Sequence, residues 1–319
     1  MPSIGVSVII VNWNTRDMVL SLLTSLSTPA ESPGLELELI VVDNNSSDGS
    51  VQAIRDEFPA VKLVAQSENH GFAGGVNPGT KEATQPLVLL LNSDTQTSRA
   101  SIREAALYMA RCPKVGILGP QILSPQGKPQ SSAWRDPSLA WMALSAVGLS
   151  KFKALNFERY HEKTFTEATA VDCVSGCAMM LRRELLDELG GFDEDYFMYF
   201  EETDFCVRAR RRGKQVHHAP VGEFLHEEGG TSKMVRLRTF LEIRRSQILF
   251  HRKHDGVASA IAARGLLALG SALRLPPLAA LSLVGGSDRA RRQLSLHWNG
   301  LAWLISPFSG LVPDVDRSE

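Results

Sequence analysis

The fold is indicated first by Val6-Ser-Val-Ile-Ile-Val11, a short run of mostly β-branched apolar residues. Such a run is typical of a strand that is covered on both faces, as the strands of a parallel sheet are. Apolar residues then recur at a helical spacing at Met18, Leu22, Leu23 and Leu26. We therefore expect a strand followed by a helix, the repeating unit of an α/β fold.

The same alternation continues through the first hundred residues. Further strands are predicted at Leu37–Val42, Val61–Ala65 and Pro86–Leu91, and a helix at Val51–Phe58. Strands that alternate with helices are joined by right-handed crossovers and form a mainly parallel sheet. In such a sheet the ligand site lies beyond the carboxyl ends of the strands. Polar residues that directly follow a strand are thus the first candidates for function.

The composition is that of an ordinary globular protein. The 319 residues, 44% of them hydrophobic, suffice for one large α/β domain with an appendage. The formal net charge of −1 gives no reason to expect a nucleic-acid partner, which usually requires a basic surface. The four cysteines lack a metal-site spacing and are expected to be buried free thiols. Together with the lack of a signal-peptide pattern, they favour a cytoplasmic location.

The chain changes character from about Met234 onward, where it becomes helical in pattern and rich in Ala, Leu and Arg. Arg274 and Pro276-Pro277 interrupt its most apolar part, so no uninterrupted apolar run reaches the roughly 18 residues that span a bilayer. Two alternatives remain: a helical hairpin that packs on the main domain, or an interfacial element with arginines at the lipid headgroups. We predict a main domain at 1–235 and a helical extension at 236–319.

Two carboxylates follow predicted strands. Asp43 comes after the second strand, where it could accept hydrogen bonds from a base or a ribose. Asp94 follows the fourth strand and could hold Mg²⁺ or Mn²⁺, which prefer carboxylate oxygens. Between them, Asn69–Asn77 contains three glycines that permit a close approach of the backbone to a ligand. The plain alternatives are an Asx-turn for Asp43 and a simple loop before a helix for Asn69–Asn77. The mixed segment at 119–167 could face an acceptor.

A second acidic group lies in Gly190–Asp204, where aromatic residues surround Glu201 and Glu202. Burial raises the pKa of a carboxyl group and makes it a better general base. Acids in the first turn of a helix are, however, also the ordinary response to the helix dipole. His226 follows this segment and is a candidate metal ligand if a metal site lies nearby; otherwise it is an ordinary surface or core histidine.

The ordered set of these fragments resembles the family 2 glycosyltransferases of the GT-A fold, with the rhamnosyltransferase-like branch as the nearest group. The fragments span roughly residues 4 to 235 and are Val8–Asn14, Val41–Gly49, Asn69–Asn77, Leu91–Thr95, Val174–Arg183, Gly190–Asp204 and His226. The resemblance implies an α/β GT-A fold, Rossmann-like with a mainly parallel central sheet, followed by a C-terminal helical extension.

By this resemblance Glu202 is the catalytic base. Glu201 is the alternative, because Glu201-Glu202 stands where Glu-Asp is commoner. Asp94 and His226 would hold Mg²⁺ or Mn²⁺, although Asn92-Ser-Asp94 has one acid fewer than the Asp-x-Asp of the family. The positions that would contact the nucleotide-sugar donor are Asn14, Asp43, Asn69, Gly71, Asn77, Asn92 and Gly176.

The implied activity is that of an inverting, metal-dependent glycosyltransferase of the hexosyltransferase type in bacterial cell-surface polysaccharide synthesis. A sugar, with rhamnose as the candidate, would pass from a dTDP- or UDP-sugar to a glycan or polyprenyl-linked acceptor. The enzyme would be peripheral on the cytoplasmic face of the cell membrane. Two alternatives stay open: a degenerate glycosyltransferase that only binds a glycan or partner, and a sugar nucleotidyltransferase. Against the latter, Val8–Thr15 lacks the glycines and basic residue of its expected phosphate loop.

Overall fold

The computed structural model describes residues 3–27, 33–152, 160, 166–226, 236–284 and 287–306. Its internal contacts divide the chain into two units. The first unit comprises residues 1–136, 159–197 and 201–234, and the second comprises residues 137–158, 198–200 and 235–319. The second unit therefore includes two segments that lie before residue 235 in the sequence. The domain limits at 235 and 236 stay a prediction.

Eleven strands are formed by the described residues of the first unit. They are β1 (Ile4–Asn12), β2 (Leu35–Asp43), β3 (Lys62–Ala65), β4 (Leu87–Asn92), β5 (Thr95–Thr97), β6 (Val115–Leu123), β7 (Ala133–Trp134), β8 (Thr169–Ala170), β9 (Cys173–Val174), β10 (Ala178–Arg182) and β11 (Gln215–His226). The strands β7 and β9 form a separate antiparallel pair, and the others form one sheet.

The sheet has the order β3-β2-β1-β4-β10-β6-β11-β5, with β8 also paired to β11. The first four strands of the chain run parallel to one another, and β11 runs parallel to β6. Between these two groups, β10 is antiparallel to both β4 and β6. The prediction of a mainly parallel α/β sheet is confirmed. Its basis is visible in β4, where Leu87 to Leu91 are all buried, as expected for a strand covered on both faces.

Seven helices lie in the described residues up to 226. They are α1 (Arg16–Ser27), α2 (Ser50–Glu57), α3 (Gly71–Glu82), α4 (Arg99–Arg111), α5 (Leu139–Ala146), α6 (Arg183–Leu189) and α7 (Glu201–Arg211), of which α5 belongs to the second unit. Two buried clusters cover the faces of the sheet. Val8 and Ile10 of β1 belong to one cluster and Ile9 to the other, because successive side chains of a strand point to opposite faces.

Most of the glycine-rich stretch at 69–77 belongs to a helix rather than a loop, since α3 begins at Gly71. The glycines let this helix lie close against the sheet. A Cβ atom at Gly75 would come within 2.6 Å of Cγ1 of Val11, and one at Gly79 within 2.6 Å of Cγ2 of Ile9. Gly75, one of the three glycines that suggested ligand approach, is therefore required for packing. The mixed segment at 119–167 likewise contains the end of β6 as well as α5.

The second unit contains α5 and three further helices, α8 (Arg236–Asp255), α9 (Val257–Val284) and α10 (Asp288–Ile305). The predicted C-terminal helical extension is confirmed. Contrary to the expected interruption at Arg274 and Pro276-Pro277, α9 runs through these residues as one helix of 28 residues. With a mean hydropathy of 1.6 it is long and apolar enough to cross a membrane by length and composition. A single helix of this kind is weak evidence for a span.

Both arginines of α9 donate hydrogen bonds inside the second unit. Arg264 donates to the carbonyl oxygen of Leu304 at 2.6 Å and to that of Ser306 at 2.7 Å. Arg274 donates to the carbonyl oxygen of Ser145 at 2.7 Å. These carbonyls lie at the ends of α10 and α5, where unsatisfied backbone oxygens and the helix dipole attract a positive charge.

Candidate active site

A buried chain of hydrogen bonds joins the carboxyl ends of β1, β2 and β4. Nδ2 of Asn12 donates to Oδ2 of Asp43 at 2.7 Å. Oγ1 of Thr15 donates to Oδ1 of Asn12 at 2.7 Å, and it lies 2.6 Å from the hydroxyl oxygen of Ser93. The sequence analysis did not single out Asn12, Thr15 or Ser93, although each lies at or just after the end of a strand.

Asp43 is held by this network from both sides. Its side chain is buried, and Oδ1 accepts a hydrogen bond from the backbone N–H of Ser46 at 2.8 Å while Oδ2 accepts from Asn12. The bond to Ser46 is the local turn that was the plain alternative for this residue. A carboxylate oxygen can accept a second bond, so the contact to a base or a ribose stays a prediction.

Asn14 connects two loops at the same edge of the sheet. Its φ of 52° lies in the left-handed region, which Asn tolerates better than most residues. Its N–H donates to Oγ of Ser46 at 2.9 Å, and its Oδ1 accepts from the N–H of Ser47 at 2.8 Å. These bonds fix the loop after β1 to the loop after β2. The contact of Asn14 with the donor stays a prediction.

The backbone conformation and the close packing at residue 71 require glycine. Its φ of 76° is left-handed, and a Cβ atom there would overlap the carbonyl oxygen of Phe197. That oxygen accepts a hydrogen bond from the N–H of Phe72 at 2.8 Å, while Oδ1 of Asn69 accepts from the N–H of Gly71 at 2.9 Å. The start of α3 is thereby attached to the segment that leads to Glu201.

The side chain of Asn77 makes hydrogen bonds to other residues of the protein. It is buried within α3, where its Oδ1 accepts from the N–H of Phe192 and its Nδ2 donates to the carbonyl oxygen of Phe192, both at 2.8 Å. Nδ2 also contacts Oε1 of Glu194 at 2.7 Å. Asn77 therefore anchors the loop after α6, and its predicted part in the nucleotide pocket stays a prediction.

The structure brings Asp94 and His226 together. Asp94 follows β4 and His226 ends β11, and Nε2 of His226 lies 3.3 Å from Oδ1 of Asp94. Oδ1 is buried and accepts no hydrogen bond from the described residues. Adjacent ligands of an octahedral cation with bonds of about 2.1 Å are about 3 Å apart. The pair therefore fits two neighbouring positions on a cation such as Mg²⁺.

No group of three or more His, Cys, Asp or Glu side chains that could hold a metal occurs among the described residues. Asp94 and His226 thus form a pair without a third ligand of this kind within that part of the chain. Mg²⁺ usually keeps several waters and is held by one or two carboxylates plus substrate phosphates. A site of two side chains is consistent with that mode of binding, in which the donor would complete the coordination.

Glu201 and Glu202 begin α7 but differ in environment. Glu201 is 5% exposed, and burial, followed by the charge of Glu202, raises its pKa well above the usual range. Its Oε2 accepts no hydrogen bond from the described residues. Glu202 is half-buried as a residue, although its Oε2 is buried as well. Glu201 is thus the more enclosed of the two residues, and the identity of the base stays a prediction.

The segment Gly176-Cys177 lies near both predicted parts of the site. A Cβ atom at Gly176 would be 3.7 Å from Cβ of Glu202 and 3.4 Å from the ring of Phe72. Burial and the charges of Asp94 and Glu202 raise the pKa of Cys177 to about 12. The carbonyl oxygen of Cys177 accepts from the N–H of Asn92 at 3.0 Å. All four cysteines are free thiols; Cys173, Cys177 and Cys206 are buried as predicted, whereas Cys112 is half-buried.

Two strained residues precede the acids. Tyr199 and Phe200 have φ values of 67° and 71°, which lie in the left-handed region and cost about 1–3 kcal/mol each for such residues. They turn the chain immediately before Glu201. Nothing in their residue types indicates this conformation, so no sequence pattern predicts it.

Residues 7–190 match the family described as Glycosyl transferase family 2. The chain belongs to glycosyl transferase family 2. The prediction of this family, with its rhamnosyltransferase-like branch, is confirmed. The alternative of a sugar nucleotidyltransferase is accordingly wrong.

Two relatives illustrate the relationship. This family 2 glycosyltransferase is 32% identical over 220 residues to the N-acetylglucosaminyl-diphospho-decaprenol L-rhamnosyltransferase of Mycobacterium tuberculosis, over 65% of this chain and 70% of the relative. It is 29% identical over 227 residues to the low-salt glycan biosynthesis hexosyltransferase Agl10 of Haloferax volcanii, over 70% of this chain and 67% of the relative.

Solved structures confirm the GT-A fold of this family 2 glycosyltransferase. The mannosyltransferase PcManGT from Pyrobaculum calidifontis, in complex with GDP-Man and Mn²⁺, is similar with a TM-score of 0.52 and 18% identity, over 93% of this chain and 85% of that one. The S. aureus TarS fragment 1–349 in complex with UDP-GlcNAc has a TM-score of 0.51 and 17% identity, over 95% and 82% of the two chains.

Proposed function

We propose that this family 2 glycosyltransferase is an inverting, metal-dependent enzyme of bacterial cell-surface polysaccharide synthesis. It transfers a sugar, with rhamnose as the first candidate, from a dTDP- or UDP-sugar to a glycan or polyprenyl-linked acceptor. The name of the mycobacterial relative, a rhamnosyltransferase of a decaprenol-linked acceptor, supports the sugar and the acceptor. One observation carries the mechanism: the segment Gly176-Cys177 lies close to Glu202 and also bonds Asn92 and Thr95, the residues on either side of the turn that contains Asp94.

Asp94 and His226 would hold the cation, either Mg²⁺ or Mn²⁺. A divalent cation neutralises charge that builds on a departing diphosphate. The side chains contribute a buried carboxylate oxygen that accepts no hydrogen bond from the described residues, and a ring nitrogen 3.3 Å away. Because Asn92 replaces the acid that the family usually has, the chain supplies one negative charge fewer at this edge of the sheet.

Glu202 would accept the proton of the acceptor hydroxyl as that hydroxyl attacks the sugar. One displacement inverts the anomeric carbon and needs one base, whereas a retaining double displacement would need a second, nucleophilic carboxylate. Glu201 does not meet that need, because it is buried and its raised pKa favours the neutral form. When Glu201 is neutral, Glu202 has no second negative charge next to it.

The proposed place of action is the cytoplasmic face of the cell membrane, where a polyprenyl-linked acceptor is accessible. The apolar helix α9 supports contact with a membrane by its length and composition alone. Fractionation tests this part. The full-length chain is expected in the membrane fraction, and a chain that never sediments with membranes contradicts it.

Transfer assays with the Gln variants test the assignment of the base. Wild type should transfer a sugar from one member of a dTDP- and UDP-sugar panel when Mg²⁺ or Mn²⁺ is present, and not in EDTA. Glu202→Gln should lose about 10²- to 10⁴-fold in rate, as general bases typically contribute that much. Glu188→Gln, a surface change, serves as the matched control. Full turnover by Glu202→Gln contradicts the mechanism, and absence of transfer with every donor would favour a degenerate binding module.

A further inference from the structure

A cavity of about 230 Å³ that is open on one side lies within the second unit and is lined by four helices. Each helix contributes a polar side chain to its lining: Trp141 from α5, Arg244 from α8, Ser271 and Arg274 from α9, and His297 from α10. The cavity is smaller than the roughly 300–1,000 Å³ of sites that enclose a drug-sized ligand. It can hold a small group, and not an entire nucleotide sugar.

The lining of this cavity carries two positive charges without a carboxylate. Among the described residues, no Asp or Glu forms an ion pair with Arg244 or Arg274. Burial, followed by the charge of Arg274, lowers the pKa of Arg244 to about 9. Burial and both arginines lower the pKa of His297 to about 4. Buried charges are normally paired, and neither guanidinium group is paired with a carboxylate, so the cavity favours an anion.

The guanidinium group of Arg244 is held in place, but not all of its N–H groups donate a hydrogen bond to the described residues. It stacks over the ring of Phe240, with Cζ 3.2 Å from the ring centroid, and Nη1 donates to the carbonyl oxygen of Phe240 at 3.0 Å. Nε is buried and has no hydrogen-bond partner among the described residues. Arg274 differs, because it donates to the end of α5 and so has a structural role as well. Substitution of Arg244 is therefore the more direct test of ligand binding in this cavity.

Three further polar atoms of the lining are buried without a hydrogen-bond partner among the described residues. They are Nε1 of Trp141, Oγ of Ser271 and Nδ1 of His297. Native proteins leave few buried polar atoms unsatisfied, and four such atoms, counting Nε of Arg244, belong to residues that line this one cavity. Trp Nε1 and Arg Nε can only donate, and Ser can donate. A ligand that accepts several hydrogen bonds matches this set.

The geometry points to a binding site for a phosphate or diphosphate group in the cavity between α5, α8, α9 and α10. A phosphate group carries about two negative charges near neutral pH and presents several acceptor oxygens, which matches two guanidinium groups and the neighbouring donors. The group could belong to a free anion or to a phosphate-bearing lipid, since both present the same chemistry. This site is formed by residues of the second unit, whereas Asp94, Glu202 and His226 belong to the first, and its existence does not depend on the proposed sugar transfer.

The test measures binding of inorganic diphosphate to the full-length chain by thermal shift and calorimetry. EDTA is present throughout, so that no cation can hold diphosphate at Asp94 and His226. Wild type should gain stability with increasing diphosphate, because a ligand that binds only the folded state raises the melting temperature. Arg244→Gln should weaken binding about 10- to 100-fold, the effect of losing a hydrogen bond to a charged group. Ser271→Ala should weaken it by a smaller factor and scarcely changes the packing.

Arg252→Gln is the matched control, because it removes an equal charge from an exposed position of the same helix. It should bind diphosphate as wild type does. Flotation with phosphatidylcholine vesicles, with or without phosphatidylglycerol, identifies the source of the group. Binding to anionic vesicles that depends on Arg244 indicates a lipid phosphate, and Arg244-dependent binding of diphosphate alone indicates a free anion. The proposal is overturned if wild type binds neither, or if Arg244→Gln and Ser271→Ala bind like Arg252→Gln.

Discussion

Nε2 of His226 lies 3.3 Å from Oδ1 of Asp94, although Asp94 lies in the turn between β4 and β5 and His226 lies at the end of β11, far along the sequence. The pairing of β11 with β5 brings them together, because His226 lies opposite Thr95 in that antiparallel ladder. Asp94 is the residue before Thr95. The approach of the two side chains is thus a consequence of sheet register, and it supports a cation site at the edge where β4 ends.

Replacing Asp94 should separate metal-dependent donor binding from folding. Asp94→Ala removes the buried carboxylate oxygen that contacts His226, so we expect Mn²⁺-dependent donor affinity to fall about tenfold or more while the chain remains folded. Calorimetry with the best donor, with and without Mn²⁺, measures the effect. Asp187→Asn, at an exposed position, is the control. An unchanged donor affinity of Asp94→Ala in Mn²⁺ would count against the cation site.

Glu201 should make stability depend on pH in a defined direction. Its pKa is raised above 4.5 in the folded state, so its contribution to stability is present below pH 4.5 and is lost as the pH rises through the folded-state pKa. Glu201→Gln cannot ionise and avoids this loss. Between acidic and neutral pH, the stability of the variant relative to that of wild type should rise by about 1 kcal/mol or more, since one pKa unit corresponds to about 1.4 kcal/mol. Melting temperatures across that range measure it, and a pH-independent difference would refute the expectation.

Gly71 and Gly176 should respond differently to the same substitution. Gly71→Ala places a Cβ atom on the carbonyl oxygen of Phe197 at a φ of 76°, so we expect a loss of roughly 2 kcal/mol or more in stability. At Gly176 the nearest atom would be 3.4 Å away, in the ring of Phe72, and stability should change little. Denaturant unfolding of both variants provides the comparison. Equal losses would mean that the contact with Phe197 is not decisive.

Asn77 tests whether a residue of the glycine-rich segment acts on the donor or on the protein. Asn77→Ala leaves the backbone N–H and carbonyl oxygen of Phe192 without their partners, which costs about 1–3 kcal/mol for each buried group left unsatisfied. We expect lower stability together with nearly unchanged donor affinity at a temperature where the variant is folded. Donor affinity that falls while the melting temperature stays constant would instead support the predicted place of Asn77 in the nucleotide pocket.

Local patterns were sufficient for most of the sheet but not for the contacts of polar side chains. The strand that ends at Asp43 could be predicted because Leu39 to Val42 are apolar and consecutive. The hydrogen bond from Asn12 to Asp43 could not, because it depends on the register between β1 and β2. In the same way, Asn69–Asn77 has the composition of a loop, yet packing against Val11 and Ile9 selects a helix there.

By itself, the sequence determined the α/β fold, the family and the helical character of the C-terminal part, because apolar periodicity and ordered motifs are properties of short segments. Tertiary structure alone decided which of the polar residues meet. It placed Asp94 beside His226, enclosed Glu201 while leaving Glu202 half-buried, and lined one cavity with Arg244 and Arg274 without a carboxylate. The physical reason is that burial and pairing are set by segments that come together only when the whole chain has folded.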